Sequence, residues 1–229
     1  FIQMFRFAAE PFFFQRAKDK GSKELYARVM ELFTAFCALV FLGVIFYIDI
    51  ISLLLGRDFR SGVGVVPIML FSYMVLGMLF NVSMWYKLSG KTNMAIWITS
   101  AGLVVTLVVN LVFMPKYSYW AAAFGHLASY VVMFILSAVL GQKYWPVPYR
   151  WGRILGTLAL MFLFYGLASL ADTHLFHFAG WDTDRDLLWW KLGVHTVLLL
   201  GYLLSAWALL RKGIAPGAGD GSDAGAVRQ

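Results

Sequence analysis

Arg6 and Glu10 are the first residues of the chain whose types and spacing could do chemistry. They lie one helical turn apart in the otherwise apolar and aromatic stretch FIQMFRFAAEPFFF. If this stretch is the end of a membrane-spanning helix with its boundary near Gln15, a rise of about 1.5 Å per residue puts Arg6 roughly 13 Å inside the hydrocarbon. An arginine there costs about 2.5–3.5 kcal/mol, so it should face a protein interior or a watery cavity. The pair therefore indicates an anion-binding residue in a transport pathway.

Two structural interpretations of the same pair stay open. Arg6 and Glu10 could form an i,i+4 ion pair that only orients the helix, worth about 0.2–0.5 kcal/mol in water and more in a dry site. Alternatively, a tilted helix could let the long Arg6 side chain extend outward to the membrane surface. In neither interpretation does Arg6 bind a transported anion.

The composition predicts a polytopic membrane protein. Apolar residues make up 61% of the chain, charged residues 14%, and the mean hydropathy is +0.72. The apolar excess lies in long blocks, as in helices surrounded by lipid and by each other. Although the net charge is +7, the basic residues are divided among short loops, which indicates membrane topology and no nucleic-acid partner. The chain also opens inside an apolar stretch, so we expect it to be a piece of a longer protein.

The blocks that must position the charged residues are six complete spans after the leading segment. A helical, solvated connector is expected over Gln15–Glu31, a polar loop over Asp172–Asp186 and a disordered tail over 213–229. The small residues at the start of the fourth span predict a face for close helix packing. The predicted spans are Leu32–Leu55, Gly64–Tyr86, Met94–Met114, Trp120–Leu140, Ile154–Ala171 and Leu187–Leu210.

Lysine and arginine are unequally divided between alternate loops, twelve on one side against four on the other. By the positive-inside tendency, the basic side is cytoplasmic and so is the C-terminus. The basic side holds Arg16, Lys18, Lys20, Lys23, Arg28, Lys87, Lys91, Lys143, Arg150, Arg153, Arg211 and Lys212, and the other side holds Arg57, Arg60, Lys116 and Arg185.

Other polar residues give weaker signals. The loop residues Asp172, His174, His177 and Asp182 have a spacing that a metal could use, but without a second cluster an ordinary polar loop is favoured. The turn Ser89–Thr92 resembles the end of a phosphate-binding loop, yet position 85 is Trp where that motif needs Gly. The sequence contains none of the familiar hydrolase or metalloprotease motifs. We therefore expect neither an enzyme nor a bound cofactor or metal.

Four further polar residues fall inside predicted spans. Asn81 and Asn110 need hydrogen-bond partners in a dry environment; helix–helix contacts are favoured, and contact with a substrate is the alternative. His126 and His195 similarly favour hydrogen bonds between helices, with a proton relay as the alternative.

A series of ordered short motifs resembles the C-terminal half of bacterial polysaccharide biosynthesis proteins. These are Wzx-type flippases for lipid-linked oligosaccharides, in the superfamily that also holds MurJ and the MATE antiporters. The resemblance covers about Phe1 to Tyr149, and it departs from the usual pattern at Tyr117–Trp120, where a Gly-containing turn is commoner. The motifs are FAAEPFFF at 7–14, GVVPIML at 64–70, NVSMWYKLSGKT at 81–92 and NLVFMPKY at 110–117.

The resemblance implies an all-α, polytopic transmembrane helix bundle. Residues 1–149 would form the second lobe of a flippase with its first helix truncated, 150–212 two additional spans, and 213–229 a cytoplasmic tail. The function implied is the flipping of polyprenyl-pyrophosphate-linked oligosaccharides across the bacterial cytoplasmic membrane, for surface polysaccharides such as the O-antigen of lipopolysaccharide. Membrane lipids and other membrane proteins of polysaccharide assembly would be further partners. Arg6 would hold the pyrophosphate, with Glu10 tuning it or carrying a coupling proton.

Three alternatives remain. A MATE-like cation-coupled exporter of small organic molecules would rely on intramembrane carboxylates, for which Glu10 and Asp49 qualify. A membrane-bound glycan polymerase or acyltransferase would need a large outside loop, whereas Asp172–Asp186 is short. A non-transporting membrane scaffold would leave Arg6 unexplained.

Overall fold

Helices account for nearly all of the regular structure. A computed structural model describes residues 2–17, 19, 21–54, 62–175 and 184–211, and no strand occurs within these ranges. A short π-helix, Ala171–Leu175, follows the eighth α-helix. The α-helices are α1 (Ile2–Arg16), α2 (Ser22–Phe46), α3 (Ile48–Leu54), α4 (Val66–Val82), α5 (Met84–Leu88), α6 (Asn93–Tyr117), α7 (Tyr119–Tyr144), α8 (Trp151–Leu170) and α9 (Asp184–Arg211).

Six helical segments have the length and apolar composition of membrane spans, and they correspond to the six predicted spans. The fold is thus an all-α polytopic bundle, and we describe the chain as a multi-pass membrane protein. The expected tail at 213–229 and most of the expected loop after Thr173 lie outside the described residues. The spanning segments are Ser22–Phe46, Gly62–Leu88, Asn93–Tyr117, Tyr119–Tyr144, Trp151–Thr173 and Trp189–Arg211.

The first span begins earlier than the sequence predicts. The connector expected over Gln15–Glu31 is largely helical, as predicted, but one face of its second half is buried and not solvated. Helix α2 starts at Ser22, and Tyr26, Met30 and Glu31 are all buried. Their spacing places them on one face of the helix, which packs inward although charged residues lie between them in sequence. The Tyr26 hydroxyl donates a hydrogen bond to the Phe13 carbonyl oxygen at 2.8 Å, which ties the start of α2 to α1.

Helices α6 and α7 form an antiparallel hairpin joined by the single residue Ser118. The helix continues through Pro115 to Tyr117, beyond the predicted end of the third span. Ser118 has φ 50° and ψ −129°, a conformation that favours glycine. The small residues that start α7 are packing surface, as predicted, since Ala121, Ala123, Gly125 and Ser129 are buried.

Helix α2 lies at the centre of the bundle, where it contacts α4, α8 and α9. Helix α7 packs against both α4 and α6, and α1 lies against α4 and α5. The main core joins residues of α2, α4, α8 and α9, including Met30, Met78, Met161 and Tyr202. Helices α8 and α9 therefore share this core, while the division at residue 149 into a lobe and two added spans stays a prediction.

The bundle has two ends that carry different ionic clusters. At one end of the bundle, α1, α5, α7 and α9 finish and α2, α6 and α8 begin; we call this the basic end. The opposite end holds the finish of α2, the short α3, Ser118 and the π-helix. Because the spans alternate in direction, charged residues far apart in sequence meet at each end.

Candidate functional site

Arg6, Glu10 and Lys87 form an ionic cluster where α1 meets α5. Arg6 Nε lies 3.3 Å from Glu10 Oε1, and Lys87 Nζ lies 2.5 Å from the same oxygen. The i,i+4 pair expected from the sequence is thus present, and a lysine from a distant helix joins it. Lys87 lies one residue before the end of α5, so the Arg6 guanidinium reaches toward the basic end of the bundle.

Aromatic rings flank the guanidinium of this cluster. Arg6 Cζ lies 5.1 Å from the centre of the Phe80 ring and 5.9 Å from that of Phe7. The side chains of Arg6, Glu10 and Lys87 are 36%, 29% and 30% exposed, so an outside group can approach all three. Arg6 Nε is itself covered and makes an ionic contact without an aligned hydrogen bond. Two cations on one carboxylate leave a net positive site inside an apolar surface.

An apolar crevice adjoins the cluster, one helical turn along α1. It has a volume of about 330 Å³ and lies between α1, α2 and α4. Ile2 and Gln3 line its α1 side, Cys37 and Val40 its α2 side, and Tyr73 its α4 side. The crevice is lined mainly by apolar side chains.

Asn81 does not join the cluster. It follows Phe80 on α4, but its side chain is buried, and its Nδ2 donates a hydrogen bond to the Gly77 carbonyl oxygen at 3.2 Å. Its Oδ1 is covered and accepts no hydrogen bond.

Asn110 lies at the α6–α7 contact, away from α1. A Cβ added to Gly125 would be 3.2 Å from Asn110 Oδ1, so the glycine makes room for the carboxamide. That oxygen is also covered and without a hydrogen-bond partner. Of the four predicted substrate-binding residues, the structure brings Arg6 and Glu10 together. Asn81 is buried and hydrogen-bonded within α4, and Asn110 lies at the α6–α7 contact.

A second ionic cluster joins α3, the π-helix and α9 at the opposite end. Lys191 Nζ lies 2.7 Å from Asp49 Oδ2 and 3.4 Å from Asp172 Oδ2. The buried His195 ring stacks on Phe46 at 4.9 Å between centres, and its Nδ1 lies 2.9 Å from the Phe46 carbonyl oxygen. His195 Nε2 is 3.2 Å from Asp172 Oδ1 without an aligned hydrogen bond. This cluster fastens the last span to the first.

The loop that suggested a metal is only partly described. Asp172 contacts Lys191 and His195, whereas His177 and Asp182 lie outside the described residues, as does the side chain of His174. No group of three metal-ligating side chains occurs in the part of the chain that the structure covers. His126, the other histidine inside a span, is exposed near the Tyr130 ring.

Glu31 carries a third cluster, which sequence reasoning missed. Its side chain is 5% exposed, and Arg153 Nη1 donates a hydrogen bond to Oε2 at 3.4 Å. Arg150 Nε lies 3.8 Å from Oε1, which accepts no hydrogen bond. Burial raises the pKa of the neighbouring Tyr149 phenol above its ordinary value.

The comparisons with known proteins do not identify a family for the chain. No family model, curated protein or solved structure matches it. The Wzx-type resemblance therefore remains an expectation from short motifs.

Proposed function

We propose that the chain is part of a membrane transporter that flips polyprenyl-pyrophosphate-linked oligosaccharides. The observation that supports this most is the Arg6–Glu10–Lys87 cluster, in which two cations share one carboxylate and all three side chains are partly exposed. Such a passenger carries a charged head group that must cross about 30 Å of hydrocarbon while its tail stays in lipid. Cations that line the path, such as Arg6 and Lys87 here, would lower the free energy of that passage.

The exchange of partners at the cluster supplies a binding mechanism. A guanidinium has five N–H donors, and only Nε of Arg6 is committed to Glu10. The remaining donors form a fork that suits two phosphate oxygens, and Lys87 adds a compact charge beside it. A pyrophosphate would therefore replace Glu10 as the anionic partner of Arg6 and Lys87. Once the transported lipid leaves, the two cations would pair with Glu10 again.

The apolar crevice next to the cluster suits the other half of the passenger. Its wall between α1, α2 and α4 has the character of lipid rather than of a sugar site. A polyprenyl chain lying there would keep its pyrophosphate within one helical turn of Arg6. The sugars would extend away from α1, beyond this surface of the bundle.

The proposed setting is the bacterial cytoplasmic membrane, with the basic end of the bundle in the cytoplasm. Cysteine labelling tests this orientation, because the native Cys37 is buried and should not react. In Lys91→Cys, a membrane-impermeant maleimide should label only inverted vesicles, and in Lys116→Cys only intact cells. The opposite pattern would reverse the orientation.

Complementation tests the function. The full-length gene carrying Arg6→Ala or Lys87→Ala should fail to restore surface polysaccharide to a deletion strain at normal expression, because the pyrophosphate loses a cation. Arg16→Ala is the matched control, since Arg16 is exposed in the last turn of α1, outside the cluster, and this variant should restore it fully. Full surface polysaccharide in both cluster variants would count against the proposal.

A further inference from the structure

A charged cavity at the basic end is separate from the Arg6 cluster. It has a volume of about 430 Å³ and lies between the start of α2, residues 148–150, the start of α8 and the end of α9. Three spanning helices end around it, so it lies at the level of lipid head groups. Its charged lining is Glu24, Arg28, Glu31, Arg150 and Arg153, which gives one net positive charge.

Contacts within the protein neutralise only part of the positive charge in this cavity. Glu31 is 5% exposed and takes its one hydrogen bond from Arg153. Arg150 is 52% exposed, and its Nε is 3.8 Å from the carboxylate, too far for a hydrogen bond. Arg28 is exposed as well. Arg150 and Arg28 therefore keep N–H donors for a ligand, and their planar forks match the oxygens of a phosphate.

The rest of the lining is apolar. Leu25, Leu32 and Leu210 contribute to it, and Leu32 is 52% exposed on the outer surface of α2. A ligand that joins a phosphate to hydrocarbon would satisfy both parts of the cavity. Basic pockets between spanning helices at this level are suited to anionic lipid head groups.

We infer that the cavity binds the phosphorylated head group of an anionic phospholipid. Its phosphate contacts Arg150 and Arg28, with the N–H donors of Arg153 that do not face Glu31 beside them, and an acyl chain runs along Leu32 into the membrane. Glu31 is a positioning residue here, because its buried carboxylate holds Arg153 at the cavity wall. This site is independent of the flipping proposed above and does not require it.

Native mass spectrometry of the full-length protein tests the assignment with phosphatidylglycerol and phosphatidylcholine as probes. The wild type should retain phosphatidylglycerol in preference, and Arg150→Gln should weaken that retention about tenfold because a charge-assisted contact is lost. The matched control is Arg16→Gln, which should bind like the wild type. The double variant Glu31→Gln/Arg153→Gln removes the buried pair together, and it should also bind weakly while circular dichroism shows an unchanged helix content.

Three results would overturn the inference. One is equal retention of the two lipids by the wild type. Another is retention of phosphatidylglycerol by Arg150→Gln at the wild-type level. The third is binding of glycerol phosphate as tightly as the lipid, which would assign the cavity to a soluble phosphate compound.

Discussion

Removing the carboxylate of Glu31 should destabilise the bundle more than removing the exposed guanidinium of Arg150 beside it. In Glu31→Ala, Arg153 loses its carboxylate partner while only 25% of its side chain is exposed to solvent. Breaking a fully buried ion pair by removing one partner costs about 3–5 kcal/mol. Because Arg153 is partly hydrated and Arg150 half exposed, we reduce this to about 2 kcal/mol.

Two companion variants separate charge from shape. Glu31→Gln keeps an oxygen that can accept the hydrogen bond from Arg153, so it should cost about 1 kcal/mol. Arg150→Gln should cost less than about 1 kcal/mol, because its contact is long and exposed. The expected order of destabilisation is therefore Glu31→Ala, then Glu31→Gln, then Arg150→Gln.

Reversible unfolding in mixed micelles with increasing SDS, followed by circular dichroism, measures these differences in free energy. The double variant Glu31→Gln/Arg153→Gln should be more stable than the sum of its single variants predicts, since neither group is left charged and buried alone. If Glu31→Ala lies within about 0.5 kcal/mol of the wild type, or if Arg150→Gln is the most destabilised variant, the reasoning is refuted.

Three other substitutions, one of them with a matched control, test backbone strain and helix packing by the same unfolding measurement. Ser118→Gly should stabilise the protein by about 1 kcal/mol, because φ 50° is strained for serine, and a loss of stability would contradict this. Gly102→Ala should destabilise it by about 1–3 kcal/mol, since the new Cβ would overlap the Met133 side chain and lie 2.9 Å from Ser129 Oγ. The control Gly193→Ala, with nothing within 4 Å, should be neutral or stabilising. Tyr202→Phe should cost about 0.5–1.5 kcal/mol through loss of the 3.0 Å hydrogen bond to the Ala35 carbonyl oxygen, and an unchanged stability would show that this bond contributes nothing net.

The helices could be predicted from the sequence because each span is a long apolar block between charged or turn residues. The rotation of each span could not, since a helix that is apolar on every side carries little sign of which face packs inward. Glu31 illustrates this limit. Its charged neighbours in sequence indicated a solvated helix, whereas its hydrogen-bond partner Arg153 lies 122 positions away.

The candidate site shows the same division between local and long-range information. The Arg6–Glu10 pair follows from helical spacing alone. Lys87 joins it across 77 positions, and nothing in the turn at 87–91 indicates this beyond a basic charge. Asn110 could be expected to contact a neighbouring helix, but its position opposite Gly125 depends on how α6 and α7 are paired.

Direct binding of polyprenyl pyrophosphate to the full-length protein in lipid nanodiscs tests the central claim most directly. The wild type should bind this lipid well above uncharged polyprenol, and Arg6→Ala combined with Lys87→Ala should reduce the difference at least about tenfold, because both cations of the cluster are gone. Arg16→Ala should bind as the wild type does. Undiminished binding by the double variant would contradict the assignment of the Arg6–Glu10–Lys87 cluster to the passenger.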